Sequence, residues 1–419
     1  MTAAVPHSVI GCTPAPAAVW RAGFRPFYLL GPLFGIVALA LWAAARWGGA
    51  DVPHGLPVWH GHEMLYGFAG ALAGGFVLTA VPSWTGTPAV SGRPLALLAG
   101  AWLLGRIAVL LAPALPVAAV AVADLLYMTV LIGLVAPGVL AASDRRYRLL
   151  LPMLAWLCAG NLLFHAGAAL GRPELAEFGV WSGLYGFMLL YSFVAGLLTP
   201  VFTEATLRGR GVACTAAFSP VLEWAAPLTV LALAVADLGG LGTAAERAAA
   251  AAAVVAHALR MVRWRPWAVW TDPLMLAMNL GYACFVLGFA LHLAGAPASA
   301  AVHVFTVGAM GLTKLSLMTR VVLKHTGRPV RAPGWAWTVC GALPLVTAAR
   351  LAAAWGMAPD AALAVSALVW AASMGGYLAL FGRMLATPSL PYAAPRPSAA
   401  PVAHQHRRGT ADQQRKAQP

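Results

Sequence analysis

The sequence predicts an all-α, polytopic integral membrane protein with about twelve transmembrane helices. Of its 419 residues, 61% are hydrophobic and only 10% are charged, and the mean hydropathy is +0.77. Soluble domains carry about 25% charged residues, so a soluble enzyme of this composition would expose large apolar patches. The same numbers exclude disorder over most of the chain. The five cysteines form no CxxC motif, which argues against a disulfide framework, a zinc knuckle and c-type haem attachment.

The predicted helices are runs of roughly 20 mostly apolar residues, the length that crosses a bilayer. Short connections that contain Pro and Gly separate the runs. The first run is too long, and too poor in a cleavage site, for a secretory signal. The twelve runs cover residues 27–46, 62–82, 95–112, 116–141, 149–170, 179–201, 219–238, 244–262, 273–294, 299–321, 334–355 and 361–384.

Three regions follow from these runs. Residues 1–26 are predicted to form an N-terminal cytoplasmic segment, and residues 27–387 a twelve-helix transmembrane domain. Residues 388–419 are proline-rich and then polar, so we expect a disordered cytoplasmic tail. This division leaves no room for a soluble domain.

The basic residues predict the direction of each helix. Of the 27 Lys and Arg residues, 21 lie in the N-terminal segment, the even-numbered connections and the C-terminal end, whereas three lie in the odd-numbered connections. Basic residues concentrate on the cytoplasmic side of membrane proteins, so both termini are predicted to be cytoplasmic. The formal charge of +14 is thereby explained by topology, and nucleic-acid binding is not expected.

Histidines mark one layer of the predicted bundle. Ionisable residues inside a membrane are costly and are candidates for functional sites. Imidazole is a common ligand of haem iron, copper and zinc, so this layer predicts a haem or metal site near the outer face. The alternative is that these side chains form hydrogen bonds between helices or lie among headgroups. Five histidines from four helices share this depth, namely His60, His62, His165, His292 and His303.

The densest cluster is the segment from Trp59 to Met64. Residues two apart on a helix point about 200° away from each other, so His60 and His62 cannot bind one metal from a regular helix. Either this stretch is extended, or the two histidines serve different centres. Glu63 is a candidate catalytic residue that would carry protons or orient an imidazole, and the alternative is an interfacial carboxylate.

The tenth run carries a lysine deep in the membrane. Lys314 lies 11 residues after His303, about 16 Å deeper along a helix. A lysine at this depth needs a partner, and the candidates are Asp124, Glu223 or a haem propionate. The alternative is that Lys314 reaches the cytoplasmic headgroups.

Two arginines also lie inside predicted runs. Arg106 in the third run and Arg350 in the eleventh are candidate propionate partners, because guanidinium groups pair well with carboxylates. Each could instead be interfacial.

Several motifs resemble those of the NnrS family. Residues 59–106 contain WHGHEM, GF, LTAVPSWTG, SGRPL and WLLGR, which are similar to the family signature. Residues 24–29 (FRPFYL) resemble the family's opening motif, and residues 260–267 (RMVRWRPW) resemble a later one. Residues 303–311 (HVFTVGAMG) and 318–328 (MTRVVLKHTGR) resemble the motif of the tenth span. The resemblance covers residues 24–331.

This resemblance implies a twelve-span bacterial membrane protein that contains haem and copper and takes part in denitrification and the response to nitric oxide. Two departures stand out: Asn279 occupies a position where the family favours histidine, and Gly196-Leu197 replaces a Gly-Arg pair. Asn279 raises the question of a lost ligand. The resemblance supports His60, His62, Glu63, His303 and His325 as family positions.

The resulting functional hypothesis is an inner-membrane protein with haem b, and with copper as a second cofactor, that binds or transforms nitric oxide or a small nitrosyl species. As an oxidoreductase it would need an electron donor, which the sequence does not identify. The alternatives are a metal-free secondary transporter, although no six-plus-six repeat is apparent, and a gas sensor or metal-handling assembly protein. The haem candidates are His60, His62, His165, His303 and His325, and the metal candidates are His60, His62, His165, His292 and His303.

Overall fold

Helices joined by short turns make up the part of the chain that the computed structural model describes, residues 17–215, 218–331 and 333–391. Twelve long helices lie within these residues, one for each predicted run. They are α1 (Phe24–Gly48), α2 (Leu56–Thr85), α3 (Arg93–Leu110), α4 (Val117–Ala141), α5 (Leu150–Leu170), α6 (Pro173–Gly209), α7 (Pro220–Leu238), α8 (Thr243–Arg263), α9 (Pro273–Leu293), α10 (Ala298–His325), α11 (Trp335–Ala354) and α12 (Pro359–Ala386).

Eleven of these helices are long and apolar enough to cross a membrane. The exception is α8, whose ends carry charged residues such as Glu246 and Arg263, although it packs against both α7 and α9. The prediction of an all-α, multi-pass membrane protein is therefore confirmed. The end of the bundle predicted to face away from the cytoplasm is called the outer end below.

Both ends of the described chain are joined at the opposite, inner end. The Arg25 guanidinium at the start of α1 donates hydrogen bonds to the carbonyls of Leu385 and Thr387, both at 2.7 Å, and to Ser389 Oγ at 2.9 Å. The packed chain thus continues at least to Ser389, slightly beyond the predicted domain end at residue 387. Most of the predicted terminal segments, residues 1–16 and 392–419, lie outside the described residues.

Two parts of the bundle repeat one three-helix unit, α1–α3 and α9–α11. His62 in α2 and His303 in α10 are 241 residues apart, and each directly precedes a π-helical segment, Glu63–Ala69 and Val304–Ala309 respectively. The π-helix is rare and occurs frequently at functional sites. The same offset therefore relates both the histidines and the unusual backbone that follows them.

The two repeated helices also end in the same way. The Thr85 and Thr326 hydroxyls donate to the carbonyl four residues earlier, at 2.8 Å and 2.6 Å. Gly86 and Gly327 follow with φ of 72° and 75°, a left-handed conformation that glycine adopts without steric cost. This repeat of three helices is shorter than the six-plus-six repeat considered from the sequence.

Candidate functional site

His60 and His62 lie in the first two turns of α2 and point to different places. Because this stretch is helical, the extended conformation considered above is wrong. The His60 ring lines a large cavity at the outer end. The His62 ring is fully buried among polar side chains on the other side of α2.

The polar side chains around His62 come from four helices, α2 to α5. All of them are at most 5% exposed, so this group lies in the protein interior. We call the group the polar cluster; it consists of His62, Glu63, Arg106, Asp124, Asn161 and His165.

Arg106 links the two carboxylates of the polar cluster. Its guanidinium donates to Glu63 Oε1 at 2.6 Å and to Asp124 Oδ1. The other oxygen of Asp124 accepts from Asn161 Nδ2 at 3.0 Å and pairs with His165 Nε2 at 2.9 Å. Since a buried charge is tolerated only when it is paired and hydrogen-bonded, this network explains how one guanidinium and two carboxylates are held inside the bundle.

Both nitrogens of the His62 ring face acceptor oxygens. Nδ1 lies 2.8 Å from Glu63 Oε1, and Nε2 lies 2.9 Å from Asn161 Oδ1 and 3.1 Å from Asp124 Oδ2. Two carboxylates and one guanidinium leave one negative charge uncompensated. Either a proton on an imidazole or a bound monovalent cation would bring the net charge of the polar cluster to zero.

Three of these residues could hold a metal ion. One donor atom from each of His62, Asp124 and His165 lies within 4.8 Å of the others. Two imidazole nitrogens and a carboxylate oxygen suit copper or zinc. The Phe164 ring stacks on His62 with its centroid 3.9 Å away, so one face of the group is covered by an apolar side chain. The chemistry of the donor set therefore fits a metal ion.

The outer cavity is the second part of the candidate site. Its volume is about 650 Å³, within the roughly 300–1,000 Å³ typical of cofactor and ligand sites. Most of its wall is apolar, including Trp42, Phe68 and Trp370. Both π-helical segments contribute to the wall, for example through Phe68 and Thr306.

His303 meets this cavity with a defined tautomer. Its Nδ1 lies 2.7 Å from the Ser299 carbonyl, to which it donates. Nε2 is therefore unprotonated, and its lone pair accepts a hydrogen bond from Arg350 at 2.5 Å. An imidazole whose Nδ1–H is held by a backbone carbonyl is oriented as metal-bound histidines commonly are.

Three polar groups of the cavity wall have no hydrogen-bond partner within the described part of the chain. They are His60 Nδ1, Lys314 Nζ and Arg350 Nε. Lys314 Nζ lies over the Phe68 and Phe187 rings, at 5.4 Å and 5.5 Å. The cavity therefore fits a cofactor with a large apolar body, with acidic groups that pair with Lys314 and Arg350, and with a metal ion that a histidine nitrogen can bind.

No described carboxylate forms a salt bridge with Lys314 or Arg350. The expected partners of Lys314 are engaged elsewhere: Asp124 in the polar cluster, and Glu223 with Arg260. Arg106, considered as a propionate partner, pairs with Glu63 and Asp124 instead.

The other predicted residues lie apart from both groups. His292 lines a second cavity of about 400 Å³, which shares Trp181 and Val302 with the outer cavity. Its Nε2 lies 4.0 Å from Glu246. His325 lies at the inner end of α10 and packs against Phe24. Asn279 donates to the Met275 carbonyl at 2.8 Å, and its Oδ1 has no partner among the described residues.

The sequence interpretation missed Asn161 and the repeat. Asn161 is an uncharged residue in an apolar run, so it gave no signal. The repeat did leave a signal in the sequence. Thr85-Gly86 and Thr326-Gly327 follow His62 and His303, respectively, at the same spacing of 23 residues. This match would have singled out His62 and His303 together.

Comparison with known proteins agrees with the motifs. A family model described as NnrS protein matches residues 18–389. No curated protein matches the chain.

Proposed function

The chain belongs to the NnrS family, and we propose that it is a haem- and copper-containing protein of the bacterial inner membrane that binds or transforms nitric oxide or its iron complexes. The haem b would occupy the outer cavity, and a copper ion would occupy the polar cluster. One observation carries the proposal: His60 and His303, from different helices, face one apolar cavity. The wall of that cavity also carries two cationic side chains that have no carboxylate partner among the described residues.

In this proposal His60 and His303 are the candidate iron ligands. Arg350 and Lys314 would pair with the acidic groups of the macrocycle, since charge-assisted hydrogen bonds are among the stronger ones. Haem iron would supply a site at which a diatomic gas binds in place of one of these two histidines. The apolar wall excludes water and admits a small neutral gas from the lipid. The Ser299 carbonyl keeps Nδ1 of His303 protonated, so Nε2 has the lone pair. The iron would take this lone pair from the Arg350 guanidinium, which would then be available to an acidic group of the macrocycle.

The polar cluster would hold copper through His62, Asp124 and His165. Glu63 does not line the outer cavity and is held by Arg106 and His62. We therefore assign Glu63 the role of orienting the His62 imidazole, one of the two roles considered from the sequence. Because the polar cluster has one uncompensated negative charge, a copper ion of charge +1 would neutralise it. The cluster therefore favours cuprous over cupric copper.

The first experiment is spectroscopy of the purified protein in detergent, in oxidised, dithionite-reduced and nitric-oxide-treated forms, with iron and copper measured on the same sample. We expect a Soret band that sharpens on reduction and shifts with nitric oxide. H60A and H303A should lose haem and keep copper, and H62A and H165A should do the reverse. H292A is the matched control and should keep both.

A colourless, metal-free protein from haem-replete cells would overturn the proposal and place the metal-free secondary transporter first. Catalytic consumption of nitric oxide with an added electron donor would distinguish an oxidoreductase from a gas sensor or metal-handling protein, which binds without turnover.

A further inference from the structure

The connection between α1 and α2 carries a histidine in an unusual conformation. His54 has a φ of 62°, and Gly55 follows with a φ of 77°. Few residues with a side chain adopt this left-handed region. His54 is nevertheless held there, and its side chain is exposed to solvent.

The His54 ring lies against the aromatic cover of the polar cluster. Its centroid is 4.9 Å from that of Phe164, at an interplanar angle of 70°. Phe164 contacts both imidazoles of the candidate metal group, stacking on His62 at 3.9 Å and meeting His165 edge-on at 5.1 Å. One phenyl ring thus separates His54 from both buried imidazoles.

The candidate metal ligands are closed to solvent. His62, Asp124 and His165 are at most 3% exposed, so an ion can reach them only if a side chain moves. Burial, together with the nearby His62 and His165, lowers the pKa of His54. A neutral imidazole has a lone pair available for a metal ion.

We propose that His54 is the capture ligand through which a copper ion from the outer side reaches the polar cluster. The ion binds the exposed edge of the His54 imidazole, Phe164 rotates aside, and the ion exchanges that nitrogen for those of His165 and His62. Only coordination bonds are exchanged, and no electron is transferred. This inference rests on the proposed copper site.

The test is a loading experiment on full-length, metal-free protein in lipid nanodiscs. Cuprous ion kept reduced with ascorbate is added, and protein-bound copper is measured after rapid gel filtration at successive times. His54→Gly should load several-fold more slowly yet reach the wild-type copper content. Glycine suits the left-handed conformation at this position, so the variant is expected to fold.

Two further variants sharpen the test. H292A removes another outer histidine that does not contact Phe164 and should load at the wild-type rate. Phe164→Leu should load faster, and an added chelator should strip its copper faster.

If His54→Gly loads copper at the wild-type rate, the proposal is overturned. A final copper content well below wild type would also overturn it, because His54 would then be a permanent ligand. If the wild-type protein binds no copper, the proposed copper site itself fails, which is a distinguishable result.

Discussion

The polar cluster and the outer cavity lie on two sides of α2 and differ in whether their buried charges are paired. In the cluster, Arg106 lies between the carboxylates of Glu63 and Asp124. In the cavity, Arg350 and Lys314 have no described carboxylate partner. Because an unpaired buried charge is unfavourable, the first region suits a small cation, whereas the second needs a ligand that brings negative charge.

The repeat shows that part of this difference lies in side chains at matching positions of the two units. Counting 241 residues from Glu63 leads to Val304, and from Arg106 to Thr347. One contact is equivalent too: a Cβ atom at Gly67 would meet Arg106, and one at Gly308 would meet Thr347. The same register therefore carries an acid and its arginine in the first unit and two uncharged residues at the matching positions of the second.

The largest effect is expected from a substitution that removes the cation of the polar cluster. Arg106→Met leaves two buried carboxylates without their cation, so we expect a loss of about 3–5 kcal/mol in the free energy of unfolding. Thermal unfolding in detergent measures it. Arg350→Met is the matched control in cofactor-free protein, and its stability should stay the same or rise. An equal loss of stability in both variants would contradict this difference between the polar cluster and the outer cavity.

The next effect concerns what the outer cavity binds. Arg350→Met and Lys314→Met should each weaken haem binding by about 10- to 100-fold, because a hydrogen bond to a charged group contributes roughly 1.5–3 kcal/mol. Absorbance titration of cofactor-free protein measures the Kd.

The haem dimethyl ester provides the control for this prediction. The wild-type protein should bind it as weakly as the variants bind haem, and the substitutions should make little further difference. If the variants discriminate between haem and its ester as strongly as wild type does, the two cations do not contact the acidic groups.

A matched pair of glycines separates packing from the ion network. A Cβ at Gly67 would lie 2.5 Å from the Phe34 ring and 3.1 Å from the Arg106 guanidinium, and one at Gly308 would lie 2.9 Å from Cys284 Sγ. Both alanine variants should lose about 1–3 kcal/mol through overpacking. Copper content should fall only in Gly67→Ala, because only there is Arg106 displaced; copper loss in both would assign the effect to general disorder of the bundle.

The smallest effect is expected for an exposed ion pair outside the membrane, which gives a reference value for the stability contributed by the buried pairs. Hydrogen bonds from the Arg146 side chain and backbone lower the pKa of Asp144. A lowered pKa contributes stability above the unfolded-state value, and that contribution is lost as the pH falls through the folded-state pKa. Asp144→Asn should cost at most about 1 kcal/mol near neutral pH, and unfolding curves at low pH should converge with those of wild type.

The sequence alone predicted the twelve helices, their order and the depth of the outer histidines. These are local properties, since an apolar run of about 20 residues has few stable alternatives in lipid. The α2 histidines show the limit: helical periodicity separated His60 from His62, but it did not say what lies on either side of the helix.

Only the tertiary structure decided which helices become neighbours. It paired Asp124 with Arg106 rather than with Lys314, and it brought Asn161 into the polar cluster. It left Arg350 beside His303, with no carboxylate partner in the described part of the chain. The physical reason is that these partners are far apart in the chain, on helices whose rotation and contacts depend on the packing of the whole bundle. Hydropathy sets how deep each side chain lies, whereas packing sets which other side chain it meets at that depth.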